Sequence, residues 1–168
     1  MARTRALPSY DEVVALPRGH RVTVPPEHGD PNGHLNVRHY LGLFDDAEWV
    51  VFEGVDLGSD LAERGVGGIF ALEQHLTYRR EVLVGDEVSV HLRFVGRTEQ
   101  LMHLVSYLAN HTRREVAASM EALDGYVDFG TRRLAPVPQP QASGLDRLLE
   151  QAAGLPWTPA LSGSISLG

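Results

Sequence analysis

Hydrophobic positions along this chain repeat with two periods, a helical one before residue 65 and a strand one after it. Val37, Tyr40, Leu41, Phe44, Ala47 and Val51 recur at three- and four-residue spacing, which places them on one face of a helix from Val37 to Glu53. Asn36 suits its N-cap, and Gly54 suits the C′ position just past its end. Asp45, Asp46 and Glu48 fall mostly off the centre of that stripe, while Trp49, Val50 and Phe52 widen the apolar surface. So broadly apolar a helix is expected to be central and covered on more than one side.

After Gly65, Gly67 and Gly68 the period drops to two. Phe70, Leu72, Leu76 and Tyr78 are interleaved with Glu73, His75 and Thr77, and Val88, Val90, Leu92 and Phe94 alternate with Ser89, His91 and Arg93. Two more strands are predicted, Leu101–Asn110 and Val116–Phe129, the last bulged or kinked at Gly125. Four strands joined by short turns read as an antiparallel meander. Ahead of the helix lie one helical turn near Tyr10–Ala15 and a short strand, Arg21–Val24, which Pro25-Pro26 stops. The proline-rich run from Pro136 to Pro140 ends the sheet, and a short amphipathic helix, Leu145–Ala153, precedes an ordered arm or a loose tail. The expected class is α+β, with the helix laid across one face of a curled antiparallel sheet. The expected organisation is an N-terminal extension over 1–17, one domain over 18–140, and a C-terminal helix and tail over 141–168.

Composition narrows the function classes. A chain of 168 residues with 43% hydrophobic and 22% charged positions is long enough for one cored domain. With no cysteine there is neither a disulfide framework nor a thiolate zinc site. A net charge of −7 leaves no basic stripe for nucleic acid. No run of 18 apolar residues predicts a membrane span, and Arg3 and Arg5 precede no apolar signal segment, so the cytoplasm is the expected compartment. Eight histidines raise a metal question, but His28, His34 and His39 are spaced by six and five, and His91, His103 and His111 share no ligand spacing. No metal and no cofactor are expected.

The segment Asp30-Pro31-Asn32-Gly33-His34-Leu35-Asn36, followed by Tyr40, resembles the Asp-x-x-Gly-His-(hydrophobic)-Asn-x-x-x-Tyr signature of the 4-hydroxybenzoyl-CoA thioesterase-like hotdog superfamily. The segments Phe70–Asp86 and Val127–Pro138 are similar to its betainyl-CoA thioesterase branch, and the resemblance covers roughly residues 20 to 140. It implies a hotdog fold, a curled sheet wrapped around the long helix, and hydrolysis of an acyl-CoA thioester. The branch implies a short polar or betaine-type acyl group. It also implies a homodimer or homotetramer with active sites at the subunit interface. Asp30 matches the family's base or nucleophile, and the Val37 amide matches the donor that polarises the carbonyl. From the residues alone, Asp30 reads first as a turn former through Asx hydrogen bonds, and the family motif is what turns the reading to catalysis. Where family members carry an upstream aspartate, this chain has His28, so a paired-carboxylate mechanism is unsupported.

Gly33 allows close backbone approach to substrate, Asn36 caps the helix, and His34 lines the pocket or packs in the loop. Glu73, His75 and Thr77 share one strand face, and a glutamate there, under the helix, needs a partner, so Glu73 is a second catalytic candidate and His75 a binding one. Glu48 and Glu53 lie well past the helix start and rank below it. Tyr40, Trp49, Phe70, Tyr78 and Trp157 are available to cage a cation, core packing being the commoner use. Arg93, Arg97, Arg113, Arg114, Arg132 and Arg133 are candidates for the anionic end of CoA, with no phosphate loop to cradle it. A hydratase reading lacks its motif. The alternative from another class is a non-catalytic acyl-CoA-binding hotdog module.

Overall fold

The computed structural model describes residues 6–168. Ser9 opens α1 (Tyr10–Val14) with a capping box to Glu12, and β1 (Arg18–Thr23) follows. A short 3-10 turn, Pro26–His28, leads into the loop before α2 (Val37–Glu53). Then come α3 (Ser59–Glu63), β2 (Gly67–Tyr78), β3 (Glu87–Arg97), β4 (Leu101–Asn110), β5 (Glu115–Asp128), β6 (Arg133–Leu134) and α4 (Gln141–Ala153). The sheet is antiparallel in the order β1-β3-β4-β5-β2, with β6 paired to β5.

Asn36 caps α2 as the sequence predicts, its side chain accepting from Arg38 N at 3.2 Å. Gly54 ends the helix in a right-handed conformation (φ −63°), so the left-handed C′ role is not used. Only β3, β4 and β5 form a meander; β2 crosses to the far side and pairs with β5, which leaves one edge of β2 unpaired. The irregularity expected at Gly125 lies instead between Ala71 and Glu73 on β2 and, on β5 itself, at Ala117, opposite Leu108 and Ala109 of β4. A Cβ at Gly125 would press only on the flexible ends of Leu134 and Leu72.

The inner sheet face buries Val88, Val90, Leu92, Phe94, Leu104, Leu108, Met120 and Ala122 against Tyr40, Leu43, Phe44, Ala47 and Val51 of α2. Gly19 of β1 lies so close to the Ala47 backbone that a Cβ would overlap it. The expected helical stripe is only partly right. Val37 and Leu41 are 62% and 43% exposed, and the buried face turns toward Leu43, Glu48 and Phe52. Trp49 and Val50 also stay exposed on the single chain, so the sheet covers one side of the helix.

On the opposite sheet face Val105, Tyr107, Ala109 and Val116 pack with Val13 and Leu16 and with Leu155, Trp157 and Leu161 of the C-terminal arm. The arm is ordered: Ala160 N donates to Tyr107 Oη at 3.1 Å, and Ser162 N donates to the Glu121 carboxylate. Among the described residues no helix is long and apolar enough to cross a membrane.

Candidate active site

The loop before α2 is fixed by its own backbone. Asp30 N donates to His34 O at 2.8 Å, Gly33 N to Asp30 O at 3.0 Å, and Asn36 N to His28 O at 2.8 Å. Gly33 makes the reversal at φ +78°, a conformation that costs other residues energy. Leu35 N donates to Val82 O and Val84 N to Gly33 O, tying the loop to the segment after β2. His34 Nε2 lies 3.1 Å from Glu81, which also pairs with Arg113 at 3.0 Å.

This geometry opens a cleft of about 350 Å³ lined by Asp30, His34, Leu35, Asn36, Val37, Tyr40, Tyr78, Glu81 and Val82. Asp30, His34, Asn36, Val37, Tyr40 and Tyr78, all named from the sequence, meet there. Asp30 Oδ1 accepts from Asn32 N at 2.8 Å and His34 N at 2.9 Å, while Oδ2 has only a 3.5 Å contact with Asn32 Nδ2. These bonds, the His34 amide first, hold its carboxyl below the usual range and keep it ionised at neutral pH. The first turn of α2 carries no acidic side chain, and Val37 N–H has no acceptor among the described residues. A free N–H at a helix start is a donor for an anionic or polarised oxygen. Tyr40 and Tyr78 meet edge to face at 5.0 Å, and burial, then Tyr78, pushes the Tyr40 phenol up to about 12.

Other expected residues lie elsewhere. Glu73 and His75 are exposed on β2 and do not line the cleft; because β2 is an edge strand, Glu73 meets no burial cost. Gly33 serves the turn rather than the cleft wall. His28 stacks on His39 at 4.0 Å and has no bond to Asp30. Arg93 is buried, donating to Trp157 O at 2.7 Å and lying under the Trp157 ring, so neither residue faces the cleft. Glu81 lies in the Phe70–Asp86 segment that carries the family resemblance but was not named from the sequence as a site residue.

The sequence profile of the thioesterase-like superfamily matches residues 24–145, and the chain belongs to that superfamily. It is 26% identical over 125 residues to an L-carnitine dehydrogenase/betainyl-CoA thioesterase of Agrobacterium fabrum, covering 74% of this chain and 25% of that protein. The chain thus spans about a quarter of the length of the curated relatives it matches. Among solved structures, a Staphylococcus aureus protein in complex with CoA aligns at TM-score 0.80 and 23% identity, over 91% of this chain and 97% of its own. A candidate thioesterase of Pseudomonas putida KT2440 aligns at TM-score 0.76 and 30% identity, over the same shares of the two chains. The fold is therefore the hotdog fold that the motif resemblance implied.

Proposed function

We propose that this chain hydrolyses an acyl-CoA thioester to a free acid and CoA, with the Asp30 cleft as its active site. The observation that carries this reading is one cleft holding an ionised carboxylate, one oxygen of which is held only by a long 3.5 Å bond, and a helix-start N–H with no acceptor among the described residues. The thioester carbonyl oxygen accepts from Val37 N–H, and the oxyanion that develops is stabilised there. In the base route Asp30 Oδ2 takes a proton from water, the hydroxide adds to the carbonyl carbon, and the C–S bond breaks as the thiolate leaves and is protonated. In the nucleophile route Oδ2 adds to the carbonyl carbon, the C–S bond breaks as the thiolate leaves and takes a proton from solvent, and water then cleaves the mixed anhydride to the free acid and the Asp30 carboxylate. Tyr40, Tyr78 and His34 line the acyl approach.

Family membership and the CoA complex among the structural neighbours support the CoA thioester as substrate. Similarity to the betainyl-CoA thioesterase proteins supports a short betaine-type acyl group. The unpaired β2 edge, with Phe70 and Leu72 exposed, and the exposed Val37, Leu41, Trp49 and Val50 of α2 support a homodimer formed along this side. The two bonds that Asp30 Oδ1 accepts from Asn32 N and His34 N of its own loop favour one competing reading, a binding module in which Asp30 only shapes the turn. Thiol release from an acyl-CoA panel including betainyl-CoA separates the two. Asp30→Asn is expected to lower kcat/KM by roughly 10²–10⁴ with the fold intact. Full activity in that variant refutes the assigned role, and a wild type inactive on the whole panel favours the binding module.

A further inference from the structure

One layer between α2 and the sheet is not apolar. On β5 the inward phase runs Ala118, Met120, Ala122, Asp124 and Tyr126, so Asp124 occupies a core position and is 2% exposed. Its Oδ2 has no hydrogen-bond partner among the described residues. Across from it Glu48 of α2 is also buried, its carboxylate accepting one bond, from Ser106 Oγ at 2.9 Å. Asp45, one turn earlier on α2, stands at the rim. The three carboxylates line a cavity of about 40 Å³ with Trp49, Phe52, Ile69 and Ala71, roughly three times the space that one water needs. No arginine or histidine is among the lining residues. Burial, then Asp124, pushes the Glu48 carboxyl well up, and burial, then Asp46, raises Asp45.

Carboxyls buried together with no cation must either stay protonated or bear an expensive like charge, and a core of this class would be more stable with an apolar residue at 124. The chemistry missing from the cavity is positive charge. Among the described residues no three histidine, aspartate or glutamate side chains converge as metal ligands, and two walls are aromatic. Aromatic side chains beside carboxylates suit a weakly hydrated organic cation.

We propose that this cavity is a specificity pocket for a compact organic cation of the alkylammonium class, carried at the end of the acyl group. Its place in catalysis rests on the hydrolase reading above; its affinity for a cation does not. Eight residues separate Val37 from Asp45, about 12 Å along the helix, too far for a two-carbon acyl group to span on one chain. A second copy closes the gap. Gly42, between these positions, is exposed and has open space where a Cβ would stand, and Leu41 beside it is exposed. A mid-helix glycine with no crowding neighbour on its own chain leaves room for another backbone to approach. An antiparallel twofold contact centred on Leu41, midway between Val37 and Asp45, would set the helix start of one chain opposite Asp45 of the other.

The test pairs binding with kinetics. Tetramethylammonium chloride is titrated into the protein calorimetrically against a sodium chloride control, and kcat/KM is compared for betainyl-CoA and its uncharged carbon isostere, 3,3-dimethylbutyryl-CoA. Wild type is expected to bind tetramethylammonium saturably and to prefer the cationic thioester by about tenfold or more. Asp124→Asn, and separately Asp45→Asn, is expected to cut that preference by about tenfold, with thermal melts verifying that each variant folds. No saturable tetramethylammonium binding, or a preference untouched by both variants, overturns the pocket. Saturable binding without any charge preference overturns its place in the substrate site. A wild type inactive on every thioester refutes the hydrolase reading, and the titration alone then decides whether the cavity binds cations.

Discussion

Replacing Asp124 with asparagine keeps the side-chain shape and removes an ionisable group from the core of the sheet. Burial, then Asp45, pushes its carboxyl from an ordinary 3.8 to about 7. The native state therefore holds a proton, between about pH 4 and 7, that the unfolded chain has already released. Stability falls as pH rises through that window and levels off above it. Each pH unit is worth about 1.4 kcal/mol, so about 3 kcal/mol is lost between pH 5 and pH 8, and about 4 kcal/mol over the full window. Because Glu48 titrates beside it, the loss belongs to the pair rather than to Asp124 alone. Urea unfolding of wild type and Asp124→Asn at pH 5 and pH 8 reads this directly. The wild-type curve is expected to drop by about 2–3 kcal/mol more than the variant's between the two pH values. Parallel pH profiles, within about 1 kcal/mol of each other, would show that the carboxyl is ionised in both states and refute the reasoning.

Two further outcomes test the scaffold. Gly19→Ala places a Cβ against the Ala47 backbone, where neither element has a flexible end to move, and is expected to cost about 1–3 kcal/mol in denaturant unfolding. Leu41→Arg alters an exposed position of the lone chain, but at a twofold contact it sets each new charge beside its own copy; light scattering is expected to show dimer giving way to monomer, with the circular dichroism spectrum kept.

The sequence carried most of the local structure and much of the site. Asn36 and the periodicity behind it located α2 from Val37 to Glu53, and the turn signals before Leu101 and after Asn110 located β4. The loop motif named Asp30, His34, Asn36 and Tyr40, which do meet in one cleft. These features are legible because capping, periodicity and turn chemistry act over a few residues. What the sequence did not show depends on which element lies beside which. Glu73 was expected beneath the helix, but β2 pairs with β5 at the edge and leaves it in solvent. Glu48 was placed off the buried stripe, yet sheet curvature turns that side of α2 inward onto Ser106 and Asp124. Asp124 did leave a trace, a lone charge on the apolar phase of β5, but only packing shows that it faces two carboxylates from another element. Local sequence thus determined the helix, its cap and the loop that holds Asp30. Strand order and helix rotation, set by burial of the whole apolar surface at once, decided which carboxylates are exposed and which are held in the core.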